Sequence, residues 1–134
     1  MIIFLCILAI LIFGVFAYGY SNTHYDSKYD KLIKKAGFTE KQITLPDGSV
    51  ICYGEGPNGG IPLLLIHGQM VSWENYAKTF PELSKHFHIY AADCYGHGGS
   101  GKDPAKYSAK AIGSDLIWFI QNAIKNPAVI SGHS

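Results

Sequence analysis

The chain contains 134 residues, of which 48% are hydrophobic and 16% are charged, and its 11 basic and 10 acidic side chains leave a formal net charge of +1. This apolar content is not that of a disordered chain, and the balanced charge provides no field that would attract nucleic acid. All the basic residues are lysines, so the sequence lacks arginine, the side chain best suited to bidentate capture of phosphate. The length accommodates one domain with a modest core.

Residues 1–20 form an uncharged apolar segment that is interrupted only by two glycines. A helix of about 20 residues rises about 30 Å, which matches the hydrocarbon core of a bilayer. The segment therefore predicts an uncleaved single-pass membrane anchor, with a secretory signal cleaved near residues 17–19 as the alternative. Lysines in the stretch that follows favour a cytoplasmic domain, but single N-terminal spans also deliver domains outward, so the sequence leaves the side of the membrane open.

Residues 21–40 are predicted to connect this segment to one globular domain over residues 41–134. Apolar side chains near helical spacing indicate a short amphipathic helix that ends at Gly37. At the start of the domain, two β-prone runs flank the turn signal Pro46-Asp47-Gly48. This pattern predicts an antiparallel hairpin.

Three apolar runs follow the hairpin and alternate with helical segments. They lie at residues 63–66, 87–92 and 128–130. Continuous apolar runs are typical of strands that are covered on both faces of a parallel sheet. A helical segment over 73–86 is expected to break or restart at Pro81, and a second helix is expected to begin after the N-cap Ser108. The alternation predicts an α/β fold with a mostly parallel sheet that is preceded by the hairpin.

Each apolar run ends in residues that could carry chemistry. The three ends read His67-Gly68-Gln69, Asp93-Cys-Tyr-Gly-His-Gly-Gly-Ser100 and Gly132-His133-Ser134. Ligand sites in such sheets lie beyond the carboxyl ends of the strands, so these segments are expected to share one edge. The combination resembles the α/β-hydrolase superfamily, in which an HG turn, a D-x-x-G-x-G-x-S loop and a G-x-S-x-G nucleophile elbow follow successive strands. The resemblance extends over residues 41–134.

The resemblance implies a role for each residue that matches a motif. Ser134 occupies the position of the nucleophile, and Gly132 that of the small residue which the tight turn requires. His133 belongs to the same elbow, while His67 and Gly68 would support the oxyanion turn. The backbone N–H of Gln69 would be the first oxyanion donor.

Further groups that the family uses would lie after the nucleophile. They are the second oxyanion donor, an acidic residue and the catalytic histidine, in that order. The resemblance therefore implies the N-terminal half of a longer enzyme of the serine-nucleophile branch. This half is expected to be inactive and poorly soluble by itself, because its fifth strand would expose an apolar edge.

The implied reaction is hydrolysis of an ester, thioester, lactone or amide through an acyl-enzyme. A serine at position 134 argues against the dehalogenase and epoxide-hydrolase branches, which use a carboxylate there. The alternatives are an acyltransferase or a C–C-bond hydrolase that uses the same site, and a non-catalytic membrane-tethered protein that retains only the fold.

Several residues near these motifs allow two interpretations of their role. Met70 and Trp73 could line a substrate pocket or pack beneath the oxyanion turn. Asp93, His97 and Ser100 are expected to shape their loop rather than to act in the chemistry, because turns recruit such residues for local hydrogen bonds.

The sequence predicts neither a cofactor nor a metal ion. Residues 96–101 match the dinucleotide pattern G-x-G-x-x-G, but the segment after them does not begin a helix and no acidic residue stands where a ribose would bind. His86 and His88 lack a third ligand at suitable spacing, and the sequence has no C-x-x-C pair. The expected partners are a small acyl substrate and, through residues 1–20, a membrane.

Overall fold

A computed structural model describes residues 2–23, 26–57 and 59–133 of the chain. Its first two elements are helix α1 at Ile2–Thr23 and helix α2 at Asp26–Lys35. In the part of the chain that is described, no helix combines the length and the apolar character that crossing a membrane requires. The membrane anchor predicted for residues 1–20 stays a prediction.

Helix α2 packs its apolar face against the domain. Ile33 on this face is buried, and Tyr29 and Leu32 contact the same core cluster. The helix is followed by a turn at Gly37, whose φ of 77° is a left-handed conformation that glycine adopts at no steric cost. Beyond this turn the Phe38 ring is buried in the same cluster. The segment predicted as a connector therefore contributes its own side chains to the core.

The predicted hairpin is confirmed by strands β1 at Thr39–Thr44 and β2 at Val50–Glu55, which pair in antiparallel orientation. The turn between them contains Gly48, with a φ of 85°. The Asp47 carboxylate accepts the Ser49 N–H at 3.0 Å and so closes the turn.

The three predicted strands form as β3 at Ile61–Ile66, β4 at Phe87–Ala92 and β5 at Val129–Gly132. The prediction that all three are buried is wrong for β5, which is exposed along its length in the described residues because it has a neighbouring strand there on one side only, β3. Among the described residues, one mixed sheet has the strand order β1-β2-β4-β3-β5. Strand β3 runs parallel to both β4 and β5, whereas β2 pairs with β4 in antiparallel orientation. Ile66 pairs with Ala92 on one side and with Gly132 on the other, so the three parallel strands end at the same level.

The segments between the parallel strands cover the two faces of the sheet. After β3, a 3-10 turn at Trp73–Tyr76 is followed by the short helix α3 at Phe80–Leu83, because Pro81 lacks an N–H and starts a new helix rather than extending one. After β4, helix α4 spans Ala109–Phe119, and the Ser108 side chain caps it by accepting the Ala111 N–H. The predicted N-cap is confirmed, and a helix does start at Phe80, next to Pro81, but the rest of the helical segment predicted over 73–86 is a 3-10 turn and irregular structure.

Alternate residues of the central strands enter two separate cores. Leu63 and Leu65 of β3 belong to a cluster with Phe80, whereas Leu64 between them belongs to a cluster with Phe119 of α4. This alternation follows from the period of two in a strand. The central strands of the sheet are therefore packed on both faces, and the loops meet at their carboxyl edge.

Candidate active site

The three strand-end segments meet at the carboxyl edge of the parallel strands. There they surround a cavity of about 430 Å³. Its lining residues are His67, Gly68, Gln69, Cys94, Tyr95, Gly96, His97, Tyr107, Ile112 and His133. A small organic substrate needs a cavity of roughly 300 to 1,000 Å³. The structure thus places the predicted oxyanion turn, the glycine-rich loop and the end of β5 around one cavity of suitable size.

Asp93 is the anchor of the glycine-rich loop. One carboxylate oxygen accepts the Trp73 N–H at 2.7 Å and the other accepts the Gly99 N–H at 2.9 Å. Its side chain is only 1% exposed, so these two bonds replace the water that burial removes. Gly98 passes so close to this carboxylate that a Cβ atom there would lie 1.8 Å from its oxygen. Asp93 therefore fixes the loop, as the sequence predicted, and does not face the cavity.

His67 links the oxyanion turn to the same loop. Its Nε2 atom accepts the backbone N–H of Cys94 at 3.0 Å. Its Nδ1 atom lies 2.6 Å from the carbonyl oxygen of Gly68, which can only accept, so Nδ1 carries the proton. The ring is a neutral imidazole, and the Asp93 carboxylate 3.6 Å from Nε2 is a close neighbour rather than an ion-pair partner.

Gln69 lies at the tip of the oxyanion turn and is exposed to the cavity. Within residues 2–23, 26–57 and 59–133, no hydrogen bond uses its backbone N–H. The next residue, Met70, has a φ of 62° and donates its N–H to Nε2 of His97 at 3.2 Å. The turn is thus hydrogen-bonded on both sides of Gln69, and the oxyanion role of the Gln69 N–H stays a prediction.

Gly132 ends β5, and His133 continues from it along the edge of the cavity. The His133 N–H donates to the carbonyl oxygen of Ile66 at 3.0 Å, which extends the pairing of β5 with β3 by one bond. A Cβ atom at Gly132 would meet nothing within 4 Å among the described residues. Ser134 lies outside the described residues, so its predicted role as nucleophile stays a prediction.

The two candidate pocket residues have different surroundings. Trp73 is 3% exposed and belongs to the core cluster, where its ring covers Gly54 so closely that a Cβ atom there would lie 2.1 Å from it. The structure therefore assigns Trp73 to packing beneath the turn. Met70 projects outward with 94% of its surface exposed and does not line the cavity of the described residues.

Tyr107 and Ile112 also line the cavity, and the sequence analysis predicted neither of them as a pocket residue. Tyr107 lies against Gly96, whose φ is 83° and where a Cβ atom would lie 3.1 Å from the phenol oxygen. Gly96 was the one sequence feature that could have pointed to this contact, because a glycine often occupies a left-handed position where a neighbouring side chain packs closely against the backbone.

Cys94 is a second possible nucleophile at this cavity. Burial, and then the adjacent Asp93 carboxylate, raise the pKa of its thiol. A thiol with a raised pKa stays protonated near neutral pH and is a poor nucleophile. In the part of the chain that the structure describes, no three histidine, cysteine or acidic side chains are placed to hold a metal ion.

Comparisons with known proteins bear on this site. Among curated proteins, the chain is 34% identical over 80 residues to the magnesium-chelatase 30 kDa subunit of Rhodobacter capsulatus, and the alignment covers 59% of this chain and 28% of that protein. It is also 34% identical over 86 residues to a fluoroacetate dehalogenase of a Burkholderia species, with coverage of 59% and 27%. The chain therefore spans little more than a quarter of the length of these relatives.

Among solved structures, that of a membrane phospholipase A, a bacterial virulence factor, aligns over 100% of this chain and 44% of its own, with a TM-score of 0.75 and 26% identity. Residues 63–134, more than half of the chain, match the model of the alpha/beta hydrolase family. The matched segment begins in β3 and contains all three strand-end segments that surround the cavity. The chain belongs to the alpha/beta hydrolase family.

Proposed function

We propose that the whole protein is a serine hydrolase that cleaves a small ester-like substrate, namely an ester, thioester, lactone or amide, through an acyl-enzyme on Ser134. The observation that carries the proposal is the pairing of His133 with Ile66, next to the His67–Gln69 turn. The residue after His133 is a serine, and the family places its nucleophile there. Membership of a family whose relatives include a dehalogenase and a phospholipase supports hydrolysis as the class of reaction.

In the proposed reaction, Ser134 Oγ forms a bond to the acyl carbon while its proton passes to a base. The bond to the leaving group breaks, and the leaving group takes up that proton. Water then attacks the acyl-enzyme, releases the acid and restores the serine hydroxyl. Negative charge on the carbonyl oxygen would be stabilised by the N–H of Gln69 and by a second donor after Ser134.

The surroundings of the cavity support a neutral acyl substrate. Its lining in the described residues contains histidine, tyrosine, cysteine, glycine, glutamine and isoleucine, without lysine or a carboxylate. Because the raised thiol pKa makes Cys94 a poor nucleophile, a serine is the better candidate for attack on a carbonyl. We favour a serine enzyme over a dehalogenase because a dehalogenase needs a carboxylate at position 134, where this chain has a serine.

The test uses the whole protein encoded by the gene, because the base and the second oxyanion donor are expected after Ser134. The wild type, Ser134→Ala and Ser131→Ala are treated with a fluorophosphonate and assayed on p-nitrophenyl esters. We expect Ser134→Ala to lose labelling and at least about 1,000-fold in kcat. Ser131→Ala removes an exposed hydroxyl three residues earlier on β5 and should keep both. Labelling of another residue, or unchanged turnover by Ser134→Ala, would refute the proposal.

A further inference from the structure

Met70 has a backbone conformation that its side chain does not explain. Its φ of 62° is in the left-handed region, and only Lys125 shares this property among the non-glycine residues that the structure describes. A non-glycine residue in this region costs of order 1 kcal/mol or more and needs its surroundings to hold it. The side chain is 94% exposed, so packing does not hold it. The hydrogen bond from the Met70 N–H to His97 Nε2 is the contact that can hold the backbone in this conformation.

The His97 ring is oriented so that Nε2 is an acceptor. Its Nδ1 atom lies 3.1 Å from the carbonyl oxygen of Tyr95, and because a carbonyl only accepts, Nδ1 carries the proton. Nε2 then has a free lone pair, which receives the Met70 N–H at 3.2 Å. Both ring nitrogens are therefore used, one to fix the ring and the other to hold the turn.

His97 itself is attached to a rigid part of the molecule. Its backbone N–H donates to Cys94 and its carbonyl oxygen accepts from Ser100, at 3.0 and 3.1 Å. The buried Ser100 hydroxyl donates to the carbonyl oxygen of Asp93 and accepts the N–H of Cys52 in β2, both at 2.8 Å. The position of the His97 ring is thus set by the sheet through a continuous series of hydrogen bonds.

The two histidines make reciprocal bonds between the turn and the loop. His67, on the turn, accepts the N–H of Cys94 in the loop, and His97, in the loop, accepts the N–H of Met70 in the turn. Their ring centroids lie 5.1 Å apart. Gln69 lies between the two attached positions, so the direction of its N–H is fixed on both sides. His67 alone would leave the Met70 side of the turn free to leave its strained conformation.

We propose that His97 is a positioning residue that holds Met70 in the left-handed conformation and thereby aims the Gln69 N–H at the oxyanion. The inference rests on the proposed function. It predicts a specific effect on the transition state, because charge on the carbonyl oxygen develops only there. Substrate binding, which does not use this charge, should change little.

Two substitutions test the hydrogen bond that His97 Nε2 accepts separately from the one that Nδ1 donates. In His97→Gln the side-chain oxygen can occupy the place of Nε2, whereas in His97→Asn the amide reaches only the place of Nδ1. Asparagine therefore keeps the bond to Tyr95 but loses the bond to Met70. In the whole protein we expect His97→Asn to lower kcat about 10- to 100-fold with KM changed less than about 2-fold. His97→Gln should recover most of this loss.

Nuclear magnetic resonance gives a readout that is independent of activity. In the wild type, ¹⁵N shifts of the His97 ring should show a protonated Nδ1 and an unprotonated Nε2. The Met70 amide should exchange with solvent faster in His97→Asn than in wild type and His97→Gln, while amides in β4 exchange at equal rates in all three. Equal rates at β4 show that the variants are folded.

The outcomes distinguish the inference from the function on which it rests. If fluorophosphonate labels Ser134 but His97→Asn turns over at the wild-type rate, the inference is wrong and the serine hydrolase stands. If Ser134 is not labelled, the proposed function is wrong, and the exchange of the Met70 amide alone decides whether His97 holds the turn. Equal exchange in all three proteins overturns the inference in either case.

Discussion

Strands β4 and β5 both lead to the cavity, but the described residues cover them to very different extents. Residues Ile89–Ala92 of β4 are buried, and β4 is paired on one side with β2 and on the other with β3. Strand β5 is exposed along its whole length, with Val129 at 48% and Ile130 at 56%, and in the described residues it pairs with β3. Within the described residues, this edge of the sheet therefore has a buried part at β4 and an exposed part at β5.

Contacts among the described residues organise the part of the site near β4 more fully than the part near β5. The loop after β4 and the oxyanion turn are joined by Asp93, His67 and His97, and their buried polar groups are paired. The segment after β5 is joined to the sheet through the His133 N–H. Substitutions near β4 should thus cost far more stability than equal substitutions in β5, and the predictions below test this difference.

The largest effect is expected for Asp93→Ala. It leaves the buried N–H of Trp73 and the part-buried N–H of Gly99 without their acceptor, and an unsatisfied buried group costs about 1 to 3 kcal/mol. We expect the free energy of unfolding in urea to fall by about 4 kcal/mol. The control is Asp103→Ala, whose carboxylate caps an exposed turn through the Ala105 N–H and should cost only about 1 kcal/mol. Equal losses would show that the loop after β4 is not the rigid part of the edge.

Gly54→Ala tests the buried part of this edge at a second place. The new Cβ atom would lie 2.1 Å from the ring of Trp73, which is buried in the core, so the ring or the strand must shift within packed surroundings. Overpacking of this kind costs about 3 kcal/mol, so we expect a clear fall in Tm by calorimetry. Gly59→Ala adds the same methyl group where no atom of the described residues lies within 4 Å, and a comparable fall there would contradict the explanation.

Trp73 also shows why sequence patterns leave such contacts open. Its partner Gly54 lies in β2, 19 positions earlier in the chain, and the hydrogen bond to Asp93 comes from 20 positions later. Periodicity and turn signals describe local structure, so they allowed both a pocket residue and a packed one. Only the pairing of β2 with β4 decides between them, because it brings Gly54 and Asp93 to the same place.

Local signals were sufficient where the physical cause is local. Pro46-Asp47-Gly48 predicted the hairpin and Ser108 predicted the start of α4, and both were confirmed. The acceptor role of His97 could not be predicted, because it depends on which ring nitrogen faces Met70 across two loops. The sequence also did not predict that Tyr107 and Ile112 line the cavity, because neither residue belongs to a motif.

A matched pair of conservative substitutions measures the contrast directly. Ile89→Val and Ile130→Val remove the same methyl group from β4 and from β5. Ile89 is completely buried, and loss of this group there should cost about 1 kcal/mol in urea denaturation. Ile130 is 56% exposed, so its substitution should change the stability by less than about 0.3 kcal/mol. A larger cost at Ile130 would mean that β5 is covered in solution.

The smallest effect is expected at the surface, where Lys106 contrasts with the buried Asp93. Its ammonium group pairs with Asp115 on α4 at 2.9 Å and with Asp47 in the hairpin turn. The hydrogen bond from Lys106 lowers the pKa of Asp47 well below 3.8, and the two carboxylates raise the pKa of Lys106 above 10.5. Because these pairs are reached by solvent, Lys106→Gln should lower Tm by only a few degrees.

The pH dependence of this loss follows from the two pKa shifts. Because the pKa of the Asp47 carboxyl is lowered in the folded protein, its contribution to stability is complete above the unfolded value of 3.8 and is lost as the pH falls below it. Because the pKa of Lys106 is raised, its contribution is complete below 10.5 and is lost as the pH rises above that value. The difference in Tm between wild type and Lys106→Gln should therefore be largest between about pH 5 and pH 9 and should shrink below pH 4 and in high salt. Lys102→Gln makes the same charge change at an exposed lysine of the same loop. A Tm difference as large for Lys102→Gln, or one that persists at pH 2, would show that net charge rather than the contact between the hairpin and α4 causes the effect.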